Sequence, residues 1–224
     1  MDFKIDHIFI LTEIGASAAE QLISSGLVEG SSNTHPGQGT ANRRFFFQNA
    51  GLELLWAHSE KEATSAPIRR THLWERWKNR TTSACPFGIC LRPVNPSNQE
   101  LAFPHWPFQP PYLPAPLSIA VGTNSDIITE PMLFQTPFAR RPDQFAGEKR
   151  QPLDHPLGVK EITHATLTSP MAKSPSLELA AAVAKTEHIK LKSGTEYCID
   201  IGFDGGTQGK SIDLRPALPM TMRW

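Results

Sequence analysis

The run "GLELLWA" sets Glu53 among apolar residues of a strand-like segment. A carboxylate buried there is costly unless it is hydrogen-bonded, ion-paired or coordinated, so Glu53 is expected to face a polar pocket rather than a dry core. Pairing with Arg43 or Arg44 across a hairpin is the plainer way to satisfy it. His7 sits in a second apolar run, "DHIFILT", and a similar run, "THATLTSP", carries His164 in the same place. "LELL" around Glu53 likewise has a counterpart in "IDLR" around Asp213. An imidazole and a carboxylate at comparable separations near both ends of the chain suggest an internal repeat. Asp213 could instead pair with Arg215.

Two loops add polar candidates. In "HPGQGTAN", Gly37 and Gly39 permit close backbone approach to a ligand, while His35, Thr40 and Asn42 offer hydrogen-bonding groups. His155 precedes a proline in "DHP", where an extended backbone can carry the ring to a pocket mouth. Cys90 lies in an apolar run and reads as structural, as does Cys198 beside Tyr197.

The elements that must position these residues can be read from periodicity. "DHIFILT" is a strand with His7, Phe9 and Leu11 on one face, and "ASAAEQLISSGL" is a helix stopped by Gly26. "RRFFFQN" and "GLELLWA" form a hairpin about Asn49-Ala50-Gly51, closing a first module at 1–60. A linking helix falls in 61–85, within "APIRRTHLWERWKNR". A strand-rich middle module spans 86–138 and contains "FPHWPFQPPYLPAP", which its prolines mark as a loop or edge segment. The aromatic cluster Phe103, His105, Trp106, Phe108 and Tyr112 suits a pocket lid. A last module, 139–224, is read as strand, helix capped by Ser174 or Ser176, and a hairpin of "EYCIDIGF" with "KSIDLRPA". The class is α+β, and the modules are expected to form one compact unit.

Bulk properties narrow the partners. Lys+Arg and Asp+Glu both number 22, and no basic run exceeds two residues, which argues against nucleic acid or an anionic membrane surface. Three cysteines without zinc-type spacing fit a reducing compartment, so a cytoplasmic location is expected. No apolar run is long enough for a membrane span, and the N-terminus does not read as a signal peptide.

Through "DHIFILT", "HPGQGTANRRFFF", "LELL", "EPMLFQTP" and "HPLGVKEITHATL", the chain resembles glyoxalase-like domain proteins of the vicinal-oxygen-chelate superfamily. The resemblance implies βαβββ modules paired into a half-open mixed β-barrel with flanking helices, often completed across a homodimer. It also implies a divalent metal, Zn, Ni, Mn or Fe, with His7 and Glu53 as ligands of the first module. The middle module departs from the pattern: "FGICL" and "MLFQT" hold no His or carboxylate, and Gln135 is the polar side chain nearest the right place. If the last module pairs with the first instead, His164 and Asp213 complete the set. The implied activity is metal-assisted isomerase or lyase chemistry on a small oxygen-bearing metabolite, with Glu53 moving a proton. Metal-free binding of a small apolar or aromatic molecule, as in resistance-type relatives, and Fe(II) extradiol-type oxygenation are the alternatives.

Overall fold

The computed structural model describes residues 2–95, 100–170 and 174–224. It is an α+β protein built on two sheets. The larger has eight strands in the order β2-β3-β4-β1-β5-β8-β7-β6 and curls into a half-barrel. Its strands are β1 (Phe3–Leu11), β2 (Asn33–His35), β3 (Thr40–Phe46), β4 (Gly51–Ala57), β5 (Phe87–Pro93), β6 (His105–Phe108), β7 (Ile119–Gly122) and β8 (Met132–Gln135).

The order holds the same plan twice. β1 runs parallel to β4, which pairs antiparallel with β3. β5 runs parallel to β8, which pairs antiparallel with β7. The two halves join where β1 and β5 pair antiparallel. The first module therefore pairs with the middle one, which decides between the two arrangements the sequence left open. Helix α1 (Ala19–Ser24) bridges β1 to the later strands of its module and buries Ala19 and Leu22.

The last module forms a separate sheet. It contains β9 (Ile162–Ser169), β10 (Ile189–Ser193), β11 (Cys198–Phe203), β12 (Ser211–Asp213) and β13 (Met220–Arg223), in the order β10-β9-β11-β13-β12. Helix α4 (Leu177–Lys185) connects β9 to the parallel β10, and the Ser176 hydroxyl caps it by accepting from Leu179 N–H. The hairpin expected from "EYCIDIGF" and "KSIDLRPA" does not form: β13 lies between β11 and β12 and pairs with both. The linking helix is also shorter than expected. His72 adopts a left-handed backbone, φ 53°, which breaks the segment and leaves α3 (Leu73–Lys78) after the brief helix α2 (Glu60–Ala63).

Alternation along the strands produces two cores. Ile8, Ile10, Leu52, Leu54, Ile89 and Leu91 point from the large sheet toward the small one and pack with Ala165, Leu167, Ile199, Ile201, Phe203 and Met222. Phe9, Leu11, Leu55, Cys90, Val121, Met132 and Phe134 point into the half-barrel, where Leu73 of α3 joins them. This second, smaller core surrounds the principal cavity. No helix is long and apolar enough to cross a membrane among the described residues.

Candidate functional site

A cavity of about 250 Å³ opens inside the half-barrel. Its walls are largely aromatic: Phe9 from β1, Phe46 from β3, Phe108 from β6, Tyr112 from the proline-rich connection, and Phe134 from β8. Phe138 and Phe145, after β8, lie at its rim. The proline-rich segment does supply an edge strand, β6, and two cavity aromatics, because Pro107 costs no ladder hydrogen bond on the unpaired side of an edge.

The polar groups come chiefly from the first module. Glu53 projects from β4 beside Phe9, its register partner on β1, and opposite Arg44 on β3. Neither Arg43 nor Arg44 neutralises it by direct contact. Arg43 is held by Glu29 and Glu20, and Arg44 donates to Ser31 while lying 5.0 Å from the centre of the Phe46 ring. Instead Asn42 Nδ2 donates to Glu53 Oε2 at 3.0 Å, and Asn42 Oδ1 accepts from Asn33 N–H. Asn42 thereby stands behind the cavity wall and orients the carboxylate.

His7 reaches the cavity through a departure from strand geometry. The β1/β5 register runs from Ile5↔Leu91 to His7↔Cys90, so Asp6 is an extra residue in a β-bulge. In a regular strand Asp6 and His7 would face opposite sides; the bulge brings both to the cavity lining. His7 Nδ1 and Asp6 Oδ2 are 2.8 Å apart. Burial opposes a charged ring here, but Cys90, Glu53 and Asp6 together raise the His7 pKa well above the ordinary imidazole value. Because burial pushes up the Cys90 thiol in turn, the two carboxylates carry that effect at neutral pH.

His35 also lines the cavity, 2.9 Å from Thr40 Oγ1 and stacked 5.2 Å from Tyr112. Burial pulls its pKa below the ordinary value despite the opposing influence of Glu53. Thr40 itself is buried behind the wall, where it also accepts from Gln38 Nε2.

Four of the residues expected at the site lie elsewhere. His164 projects from the small sheet and covers Gly202 across the β9/β11 pair, where an added Cβ would lie 1.8 Å from the ring. Asp213 is on β12 at the edge of that sheet, exposed and paired with Arg215. The strand parallel to β9 is β10 rather than β12, so Asp213 is not the topological counterpart of Glu53. His155 is a buried tie rather than a pocket group: its Nδ1 accepts from Val28 N–H, and its Nε2 faces the Phe46 carbonyl at 2.9 Å. Gln135 borders a separate, shallow groove with His105, Pro107 and Ala120.

The four-ligand set His7, Glu53, His164 and Asp213 is therefore not assembled, since two members belong to another sheet. β5 and β8 offer Cys90, Met132 and Phe134 on the barrel side, with no His or carboxylate. Among the described residues, the metal-capable donors gathered together are Asp6, His7 and Cys90, one ligand atom of each lying within 4.8 Å of the others. Asp6 and Cys90 carried no signal in a regular-strand reading. Strict alternation from His7 puts Asp6 on the opposite face, and Cys90 is an apolar-strand cysteine until its register partner is known.

No family model matches the chain, and no curated protein matches it. Among solved structures it is similar to the crystal structure of a hypothetical protein from Staphylococcus aureus, with 13% identity, a TM-score of 0.57 and 99% of each chain covered. At that identity the likeness concerns the fold alone, and it extends to both sheets.

Proposed function

We propose that the half-barrel binds a small, mainly apolar molecule containing an aromatic ring, with a polar group directed at Glu53 and His7. The observation carrying this reading is the cavity itself: aromatic walls on several sides, and a carboxylate and an imidazole inside. Its volume of about 250 Å³ lies just under the range usual for drug-sized ligands, which favours a compound of one or two rings. Asn42 and Asp6 fix the two polar side chains before a ligand arrives, so little ordering is required on binding. The three unpaired cysteines support a reducing, cytoplasmic setting.

Ligand-observed NMR with a collection of one- and two-ring compounds tests this reading. Binders bearing a hydrogen-bond donor are expected, with Glu53→Gln and Phe134→Ala each weakening them about tenfold or more, the loss of a charge-assisted bond or a packed ring. If no ring compound binds, or neither variant alters binding, the proposal fails.

A second reading is proton transfer on the bound molecule, favoured by the Asp6–His7 pair standing in the same cavity as Glu53. A carbonyl compound would lose an activated proton to Glu53 while His7, held by Asp6, donates to its oxygen. This predicts solvent deuterium incorporation next to the carbonyl, abolished in Glu53→Gln. Binding without exchange would leave sequestration as the function.

A further inference from the structure

The β-bulge in β1 does more than turn His7 toward the cavity. It sets two consecutive donors, Asp6 and His7, against Cys90, the cross-strand partner of His7 on β5. Asp6 Oδ2 approaches His7 Nδ1 to 2.8 Å, and one ligand atom from each of the three residues lies within 4.8 Å of the other two. Asp6 Oδ1 is buried without a hydrogen bond; its nearest ionic neighbour is Arg92 Nε at 3.8 Å. The Cys90 thiol is fully buried, makes a long contact, 3.8 Å, to the Leu91 carbonyl, and meets the His7 ring and the Thr136 backbone.

We propose that Asp6, His7 and Cys90 form a binding site for a divalent cation of zinc type at the floor of the cavity. The mixed oxygen, nitrogen and sulfur set suits a borderline-soft ion. Asp6 and His7 line the cavity, which gives the ion a route in. Coordination requires an aspartate, a thiolate and a neutral imidazole, so loading releases the Cys90 proton and any imidazolium proton to solvent. The two negative ligands then balance the divalent charge, removing the cost of an isolated ion in surroundings that include Phe9 and Phe134. Three protein donors leave a coordination position for an oxygen of a pocket ligand.

This is not the set that the family resemblance implies. It takes His7 but replaces Glu53 with a bulge aspartate and draws its third donor from β5. It is also independent of which organic molecule the pocket holds, since the probe is the metal alone.

Cobalt(II) titration of the full chain under reducing, chelator-free conditions separates the two sets. Cobalt bound by a thiolate shows sulfur-to-metal charge transfer in the near ultraviolet, whereas oxygen and nitrogen ligands alone do not. The expected result is one equivalent bound with that band, displaced by zinc, and retained in Glu53→Gln. Asp6→Asn and His7→Ala are expected to weaken binding at least tenfold, and Cys90→Ser to abolish the band. Should Cys90→Ser fail to fold, the double variant Cys85→Ser/Cys198→Ser assigns the sulfur without touching Cys90, and it is expected to keep the band. Absence of the band in wild type, its loss in the double variant or in Glu53→Gln, or its persistence in folded Cys90→Ser would each overturn the assignment.

Discussion

His155 illustrates how far a single residue's chemistry depends on partners distant in sequence. Lying before a proline in a loop, it reads as a ring free to reach a pocket, yet it joins Val28 to Phe46 from inside the protein and packs 5.0 Å from Phe47. Accepting at Nδ1 and donating at Nε2 requires the neutral ring protonated on Nε2. Burial lowers its pKa, as it does that of His35. A depressed folded-state pKa means the unfolded chain binds the proton more readily, so stability from these rings is complete above about pH 6.5 and is lost as pH falls through the folded values. His7, whose raised pKa keeps its proton in the folded state, opposes this trend above about pH 6, so urea unfolding is expected to show falling stability between about pH 6 and about pH 5. In His155→Leu that fall becomes shallower, His35 accounting for what remains, while stability at pH 7.5 drops by about 1–3 kcal/mol because a buried N–H and a carbonyl lose their partner. An unchanged pH slope in the variant would refute this role.

At the scale of elements, both sheets are centred on an antiparallel pair in which a ring covers a glycine of the facing strand. Phe9 lies over Gly88 between β1 and β5, and His164 lies over Gly202 between β9 and β11. An added Cβ would meet Phe9 at 2.0 Å and His164 at 1.8 Å, but the consequences differ. Phe9 is buried and packed against Phe134, so it has nowhere to go, whereas the half-exposed His164 can rotate outward. Gly88→Ala is therefore expected to cost about 1–3 kcal/mol through overpacking and to weaken ligand binding by displacing a cavity wall. Gly202→Ala is expected to cost less and to leave the pocket intact. Thermal melts and ligand titrations of the two variants provide the comparison; equal effects on binding would show that Phe9 does not shape the cavity.

These pairs also show why part of the site was legible and part was not. His7, Phe9 and Leu11 share a face because β1 alternates, and "LELL" places Glu53 on the barrel side by the same rule. His35 and the glycines beside it were likewise readable from turn chemistry. A bulge has no comparable composition, so Asp6 was hidden, and Cys90 became visible only through a register set by residues more than eighty positions away. In the last module, strand and helix were readable at β9 and α4, but inserting β13 between β11 and β12 is a choice of long-range pairing. Local turn residues there suggested a hairpin that tertiary packing overrode.

For the whole molecule, the question is whether the small sheet is an accessory or a structural requirement for the pocket. The back of the half-barrel exposes Ile8, Ile10, Leu52, Leu54, Ile89 and Leu91, and all six are covered by packing that includes Ile199, Ile201, Phe203 and Met222. Burying each such side chain contributes roughly 1.5–3 kcal/mol, so the six together contribute about 9–18 kcal/mol, comparable to a typical domain's entire net stability of about 5–15 kcal/mol. Because one strand, β1, sends Ile8 and Ile10 to this core and His7 and Phe9 to the cavity, the two sides cannot unfold independently. The protein is expected to unfold in a single transition, with far-ultraviolet dichroism, tryptophan fluorescence and release of a pocket ligand sharing one midpoint. Ile199→Ala, in the small sheet and remote from the cavity wall, should lower all three midpoints together by a stability loss of about 2–5 kcal/mol. A variant in which the small sheet melts early while ligand remains bound would instead make the half-barrel a self-sufficient binding unit.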